Sequence, residues 1–156
     1  KDSSELYTRY RIKWDVAYEQ GEIKAIAYNS AGKAVEECIV KTAGKPHSIR
    51  FSADRSEITA DGRDLSYITV EIVDKDGNLC PHASSMLYFY VEGQGELKAL
   101  CNGDPTDYVP FISPYMRAYN GKLVATVISE CGKSGTITLK AVSEGLKETS
   151  INIQTK

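Results

Sequence analysis

Apolar and polar residues alternate in short runs along almost the whole chain. In the first stretch Tyr10, Ile12 and Trp14 alternate with Arg11, Lys13 and Asp15, and similar runs cover Glu22 to Tyr28 and Val35 to Thr42. A period of two predicts half-buried strands. The turns between them fall at Tyr18-Glu19-Gln20-Gly21 and Asn29-Ser30-Ala31-Gly32-Lys33, where Gly and Asn accept turn geometry readily. The expected element is a three-stranded meander, a thin sheet that needs something to lie on. Ala43-Gly44-Lys45-Pro46 then interrupts the pattern, because Gly and Pro together break strand pairing. Two domains are therefore expected: residues 1–44 as the C-terminal part of a truncated one, and residues 45–156 as a complete one.

Beyond the break the strand rhythm continues. Ser48 to Ala53 carries Ile49, Phe51 and Ala53 on one face. Ser66 to Val73 carries Ile68, Val70 and Ile72 on one face and Thr69 and Glu71 on the other, between turns at Asp61-Gly62 and Asp74-Lys75-Asp76-Gly77-Asn78. Met86 to Val91, Glu96 to Cys101, Lys122 to Ser129, Thr136 to Val142 and Thr149 to Gln154 complete the set. Lys122 to Ser129 is apolar on both faces, which predicts a central strand. Seven strands at this spacing, with no helical periodicity, predict an all-β fold: an immunoglobulin-like β-sandwich preceded by a partial, three-stranded Ig-like segment. The Cys and Trp pattern of antibody domains is absent, so the architecture is predicted and the strand order is not.

Composition narrows the class without naming a function. Of 156 residues 42% are hydrophobic and 26% charged, enough for a packed core. A net charge of −2 with no basic stripe argues against a nucleic-acid partner. No apolar run approaches the roughly 20 residues of a membrane-spanning helix, so membrane insertion is not expected. The chain begins with Lys rather than Met, as an internal or processed piece would. Cys38, Cys80, Cys101 and Cys131 lack C-x-x-C spacing, and four cysteines allow three full pairings among which the sequence does not choose; free thiols in or near strands are expected.

Candidate chemistry is sparse. Asp74-Lys75-Asp76-Gly77-Asn78 resembles the opening of a calcium loop but lacks the later acidic ligands, and a hairpin turn explains it equally well. His47 and His82 each neighbour a proline outside any ligand spacing, so no metal or cofactor site is expected. The acids are scattered over turns and wet strand faces, with no pair placed for glycoside hydrolysis, no phosphate-cradling glycine loop and no nucleophile elbow; no catalytic residue is assigned. One long irregular segment, Asn102 to Asn120, gathers Asn102, Asp104 and Asp107 with Tyr108, Phe111, Tyr115 and Tyr119. Loops of this length are usually functional or docked. These seven residues could build a sugar site of stacking rings and accepting carboxylates. Alternatively the rings cover the open end of the sandwich while Asn102 and Asp104 satisfy their own turn.

Longer motifs carry a resemblance. Trp14-Asp15-Val16-Ala17-Tyr18-Glu19-Gln20-Gly21-Glu22-Ile23-Lys24-Ala25, followed by Gly32-Lys33 and Lys41-Thr42-Ala43-Gly44, resembles the end of the small Ig-like domain that follows the catalytic barrel in bacterial glycoside hydrolases of family 2, the β-galactosidase group. The remainder resembles the C-terminal domain of the same enzymes. Its motifs are Ala53-Asp54-Arg55, Ala60-Asp61-Gly62-Arg63-Asp64-Leu65-Ser66, Val70-Glu71-Ile72-Val73, Gly93-Gln94-Gly95-Glu96, Asn102-Gly103-Asp104-Pro105-Thr106 and Tyr119-Asn120-Gly121-Lys122. The resemblance implies a non-catalytic accessory domain, with the catalytic and other domains of a parent glycosidase as partners, a periplasmic or secreted location, and the catalytic pair in a barrel outside this sequence. Two other roles fit the residues: a carbohydrate-binding module using the 102–120 loop, and an Ig-like spacer of a bacterial surface protein.

Overall fold

The computed structural model describes residues 13–156, which form strands and turns. The chain divides into two compact units, the second starting at Ala43. In the first, β1 (Glu22–Tyr28) and β2 (Ala34–Lys41) form an antiparallel ladder with Glu22 opposite Lys41. Asn29 closes their turn, its Oδ1 accepting the N–H groups of Ala31 at 3.0 Å and Lys33 at 2.9 Å. Lys24 and Glu37 pair across the ladder at 2.7 Å. The expected strand at Tyr10 to Asp15 lies outside the described residues except for Lys13, Trp14 and Asp15, which are not in a strand. The described sheet thus has two strands instead of three. Alternation fixes which way each side chain would point, but it does not supply a partner edge.

The second unit is a two-layer sandwich. Its strands are β3 (Ser48–Ala53), β4 (Glu57–Ile58), β5 (Leu65–Val73), β6 (Met86–Gly93), β7 (Gly95–Cys101), β8 (Tyr115–Arg117), β9 (Lys122–Ser129), β10 (Gly135–Val142) and β11 (Thr149–Thr155). One sheet has the order β4-β11-β10-β6-β8 and the other β3-β5-β9-β7. All pairs are antiparallel except β11 with β4. Ile68, Val70 and Ile72 of β5 and Leu123, Ala125 and Val127 of β9 enter the core from one sheet; Leu87 and Phe89 of β6 and Ile137, Leu139 and Ala141 of β10 enter from the other. β9 lies between β5 and β7, which accounts for its second apolar face, where Val124 and Ile128 are half-buried. The seven strands expected from alternation are all present. β4 and β8 are additional, and at two and three residues they are too short to show a period.

Turn chemistry fixes where the strands stop. The chain crosses between sheets at Gly93-Gln94-Gly95, where Gln94 N–H reaches the Thr136 carbonyl at 3.2 Å and Gln94 carbonyl accepts from Glu130 N–H at 3.0 Å. Gly93 has φ 98°, and a Cβ there would run into the Thr136 carbonyl oxygen. After β5, Asp74 organises the next turn. Its Oδ2 accepts the Gly44 N–H at 2.7 Å and Asn78 Nδ2 at 3.0 Å; its Oδ1 accepts the N–H groups of Asp76 at 2.9 Å and Asn78 at 2.8 Å. Asp74 is only 3% exposed. The Gly44 N–H first, then the Asn78 side chain, hold its carboxyl well below the usual carboxylate range. The lone pairs that a calcium loop would offer to a cation are met here by the chain's own N–H groups.

Two outcomes follow for stability. Gly93→Ala should destabilise the sandwich by about 2 kcal/mol or more, since it combines a disfavoured φ with a backbone collision; denaturant unfolding measures this. Asp74 is bound to fewer protons when folded than when unfolded, so its contribution is present above the ordinary aspartate pKa of about 3.9 and is lost as pH falls toward its folded value. Thermal midpoints recorded between about pH 6 and pH 2 should fall with acid in the native chain. Asp74→Asn should start lower and fall less steeply.

Candidate functional site

The acids of the motifs are placed as clamps on turns. Asp54 Oδ1 accepts the N–H groups of Arg55 and Tyr67, each at 2.8 Å, and the Ser66 hydroxyl at 3.2 Å. Asp61 Oδ1 accepts from Arg63 and Asp64, both at 2.8 Å. Asp64 Oδ2 accepts the Thr59 N–H at 2.8 Å, and its Oδ1 meets Arg55 Nη1 at 3.0 Å. Glu71 bridges Arg50 at 2.7 Å and Lys122 at 2.9 Å on the outer face of the β3-β5-β9-β7 sheet.

These bonds set the acids' ionisation. At Asp54 and Glu71 burial pushes the carboxyl up, but hydrogen bonds from Tyr67 and Arg55 in the first case, and from Lys122 and Arg50 in the second, outweigh it, so both lie below the ordinary value. The Thr59 N–H lowers Asp64, and the Asp64 N–H lowers Asp61. A general acid needs the opposite shift. Among the described residues no three His, Cys, Asp or Glu side chains converge as a metal would require. Cys38, Cys80, Cys101 and Cys131 are all free thiols, with Cys80 buried.

The candidate segment leaves β7 at Cys101 and returns through β8, which pairs with β6. It is not irregular throughout: within it Tyr115–Arg117 is a strand, and Met116 and Ala118 are core residues. The Tyr115-Met116-Arg117 alternation was the only sequence signal for this. Three polar residues build the loop from within. Asn102 Nδ2 donates to Asp107 Oδ2 at 2.6 Å and to the Arg117 carbonyl at 3.1 Å, while Asn102 Oδ1 accepts the Asp104 N–H at 3.0 Å. Asp104 Oδ1 accepts the Thr106 N–H at 2.9 Å and hydroxyl at 2.7 Å. Asp107 Oδ1 accepts the Val109 N–H at 2.9 Å.

Around these groups lies a cavity of about 210 Å³, lined by Asn102, Asp104, Asp107 and Phe111 together with Cys101, Val109 and Met116. The sequence had not singled out the last three. The remaining candidates lie elsewhere. Tyr108 is 96% exposed at the loop tip. Tyr115 stands on the outer sheet face beside Tyr88, with ring centroids 6.1 Å apart. Tyr119 belongs to the turn into β9, where its N–H donates to the Lys122 carbonyl at 2.9 Å. The aromatics therefore neither converge on one pocket nor cover the core as a group, and the polar half of the set is engaged in holding the loop's shape.

Substitution separates these roles. Asn102→Ala should cost about 1 to 3 kcal/mol, because it strands the Asp107 carboxylate and the Arg117 carbonyl. Tyr108→Ala should stay within about 0.5 kcal/mol of the native chain, as surface changes do. Urea unfolding of both variants tests the pair; a large loss for Tyr108→Ala would mean that the ring packs.

Comparison with known proteins fits this picture of a structural sandwich. Residues 49–152 match the family described as Glycoside hydrolase family 2 C-terminal domain 5, and residues 1–36 match one described as Domain of unknown function (DUF4982). The chain is 42% identical over 153 residues to Beta-galactosidase BoGH2A of Bacteroides ovatus, which covers 98% of this chain and 17% of that protein. It is 29% identical over 150 residues to a Beta-glucuronidase of Formosa agariphila, covering 93% of this chain and 15% of that protein. The crystal structure of a glycosyl hydrolase family 2 member from Bacteroides cellulosilyticus matches with a TM-score of 0.86 and 35% identity, over 98% of this chain and 20% of that one. The chain thus spans a fifth or less of the length of each of these three relatives. With most of the sandwich matched by one family of C-terminal domains, the chain belongs to glycoside hydrolase family 2 and carries its C-terminal domain 5.

Proposed function

We propose that this chain is the non-catalytic C-terminal accessory region of a β-galactosidase-like glycosidase. The observation that carries the reading is the state of the acids. Asp54, Asp61, Asp64, Glu71 and Asp74 are each bound to N–H groups or cations that keep them ionised, and each serves a turn or a sheet face. Glycoside hydrolysis needs two carboxyl groups flanking one bond, one of them protonated near neutral pH. In this reading that pair lies elsewhere in the parent polypeptide. The sandwich then acts as a rigid support whose partners are the parent's catalytic and other domains.

The parent's reaction is hydrolysis of an O-glycosidic bond. A β-galactoside is the favoured substrate class, since the relative with 42% identity is a β-galactosidase and the one with 29% is a β-glucuronidase. Assays of 4-nitrophenyl β-galactoside and β-glucuronide test both parts. The chain alone should turn over neither above a blank preparation, and the intact parent should prefer the galactoside. Turnover by the purified chain, or a parent inactive on both, would contradict the reading.

A further inference from the structure

The tip of the loop between β7 and β8 has a composition unlike the rest of the surface. From Pro105 to Met116 the only charged residue is Asp107, in a chain where 26% of residues are charged. Asp107 is turned inward, bonded to Asn102 Nδ2 and the Val109 N–H. What the tip shows to solvent is apolar: Tyr108 at 96% exposure, Ile112 at 79% and Phe111 at 62%. It is also held in one shape. The Leu100 N–H donates to the Phe111 carbonyl at 2.7 Å, the Ser113 N–H donates to the Pro110 carbonyl at 2.9 Å, and Pro105, Pro110 and Pro114 limit the backbone further. Exposed rings and a β-branched aliphatic side chain on a pre-ordered backbone are what a protein interface uses as anchors, since little ordering entropy remains to be lost on contact. Isolated surface hydrophobics are ordinary; three within five residues, with no free charge among them, form a patch.

We propose that Tyr108, Phe111 and Ile112 form a docking tip that seats in an apolar depression on another domain of the same parent polypeptide. This rests on the functional reading above. The relatives supply the occupant: this chain accounts for 17% of one and 20% of another, so four-fifths or more of each lies in other domains. A glycan is the poorer fit. Sugar sites combine apolar lining with convergent polar groups, and here Asn102, Asp104 and Asp107 are bonded within the loop, while Ile112 offers neither a stacking face nor a hydrogen bond.

Hydroxyl-radical footprinting of the intact parent, calibrated against a fully exposed tyrosine peptide, tests the proposal. Tyr108 should oxidise about fivefold or more slowly than the calibrant, and Phe111 should be protected with it. The variant carrying Tyr108→Ser and Ile112→Ser, both at exposed positions, should lower the parent's thermal midpoint. A Tyr108 oxidised at the calibrant's rate in an active parent would overturn the docking tip and leave the functional reading intact. Protection that appears only when a galactose-containing oligosaccharide is added would also overturn it, assigning the tip to a glycan. A parent with no glycosidase activity would instead remove the functional reading itself.

Discussion

Burial of interleaved apolar rows between two sheets is the constraint on which everything else in the second unit depends. Side chains alternate along a strand, so each of β5, β6, β9 and β10 can offer the core only every second residue. Ile68, Val70, Ile72, Leu123, Ala125 and Val127 meet Leu87, Phe89, Ile137, Leu139 and Ala141 under that rule. A slip of one residue in any of these strands would turn its whole row outward. The turns must therefore be specified as tightly as the strands, and this is where the polar residues of the chain are placed. Asp54, Asp61, Asp64 and Asp74 each bind two or more groups of the turns at the strand ends. Their lowered ionisation follows from those bonds and is a mark of structure rather than of catalysis.

The same logic extends to the 102–120 segment. Asn102, Asp104 and Asp107 build the loop much as Asp74 builds its turn, with side-chain oxygens accepting N–H groups a few residues away. Once these groups are engaged, the exposed part of the loop has little except apolar side chains to offer. Its chemistry thus points toward contact with another protein surface more than toward recognition of hydroxyls. The cavity beneath it, with Met116 and Val109 in its wall, is the space left where the loop arches from β7 to β8.

The long strands were legible because alternation over six or more residues is a strong signal, and Lys122 to Ser129 even disclosed its central place through its second apolar face. Glu57–Ile58 and Tyr115–Arg117 were not legible, since two or three residues carry no period. Which strand joins which sheet was equally hidden: alternation gives a face for each residue and says nothing of neighbours. In the candidate loop, residue types alone drew Tyr108, Tyr115 and Tyr119 into one imagined site. The structure sends them to a loop tip, an outer sheet face and a turn, because side-chain direction there is set by β8 and its pairing with β6. The family was legible for a different reason: strings such as Ala60-Asp61-Gly62-Arg63-Asp64 encode particular turns, and the turns persist wherever this sandwich is built.

The central claim, that the sandwich supports a glycosidase without taking part in its chemistry, is tested most directly by deleting residues 43–156 from the intact parent. The kcat for a nitrophenyl β-galactoside at low temperature and the half-life of activity on heating should be measured together. The account predicts an unchanged kcat with a markedly shorter half-life. Loss of kcat in a remainder shown by circular dichroism to be folded would contradict it, because the deleted residues would then be needed by the reaction itself.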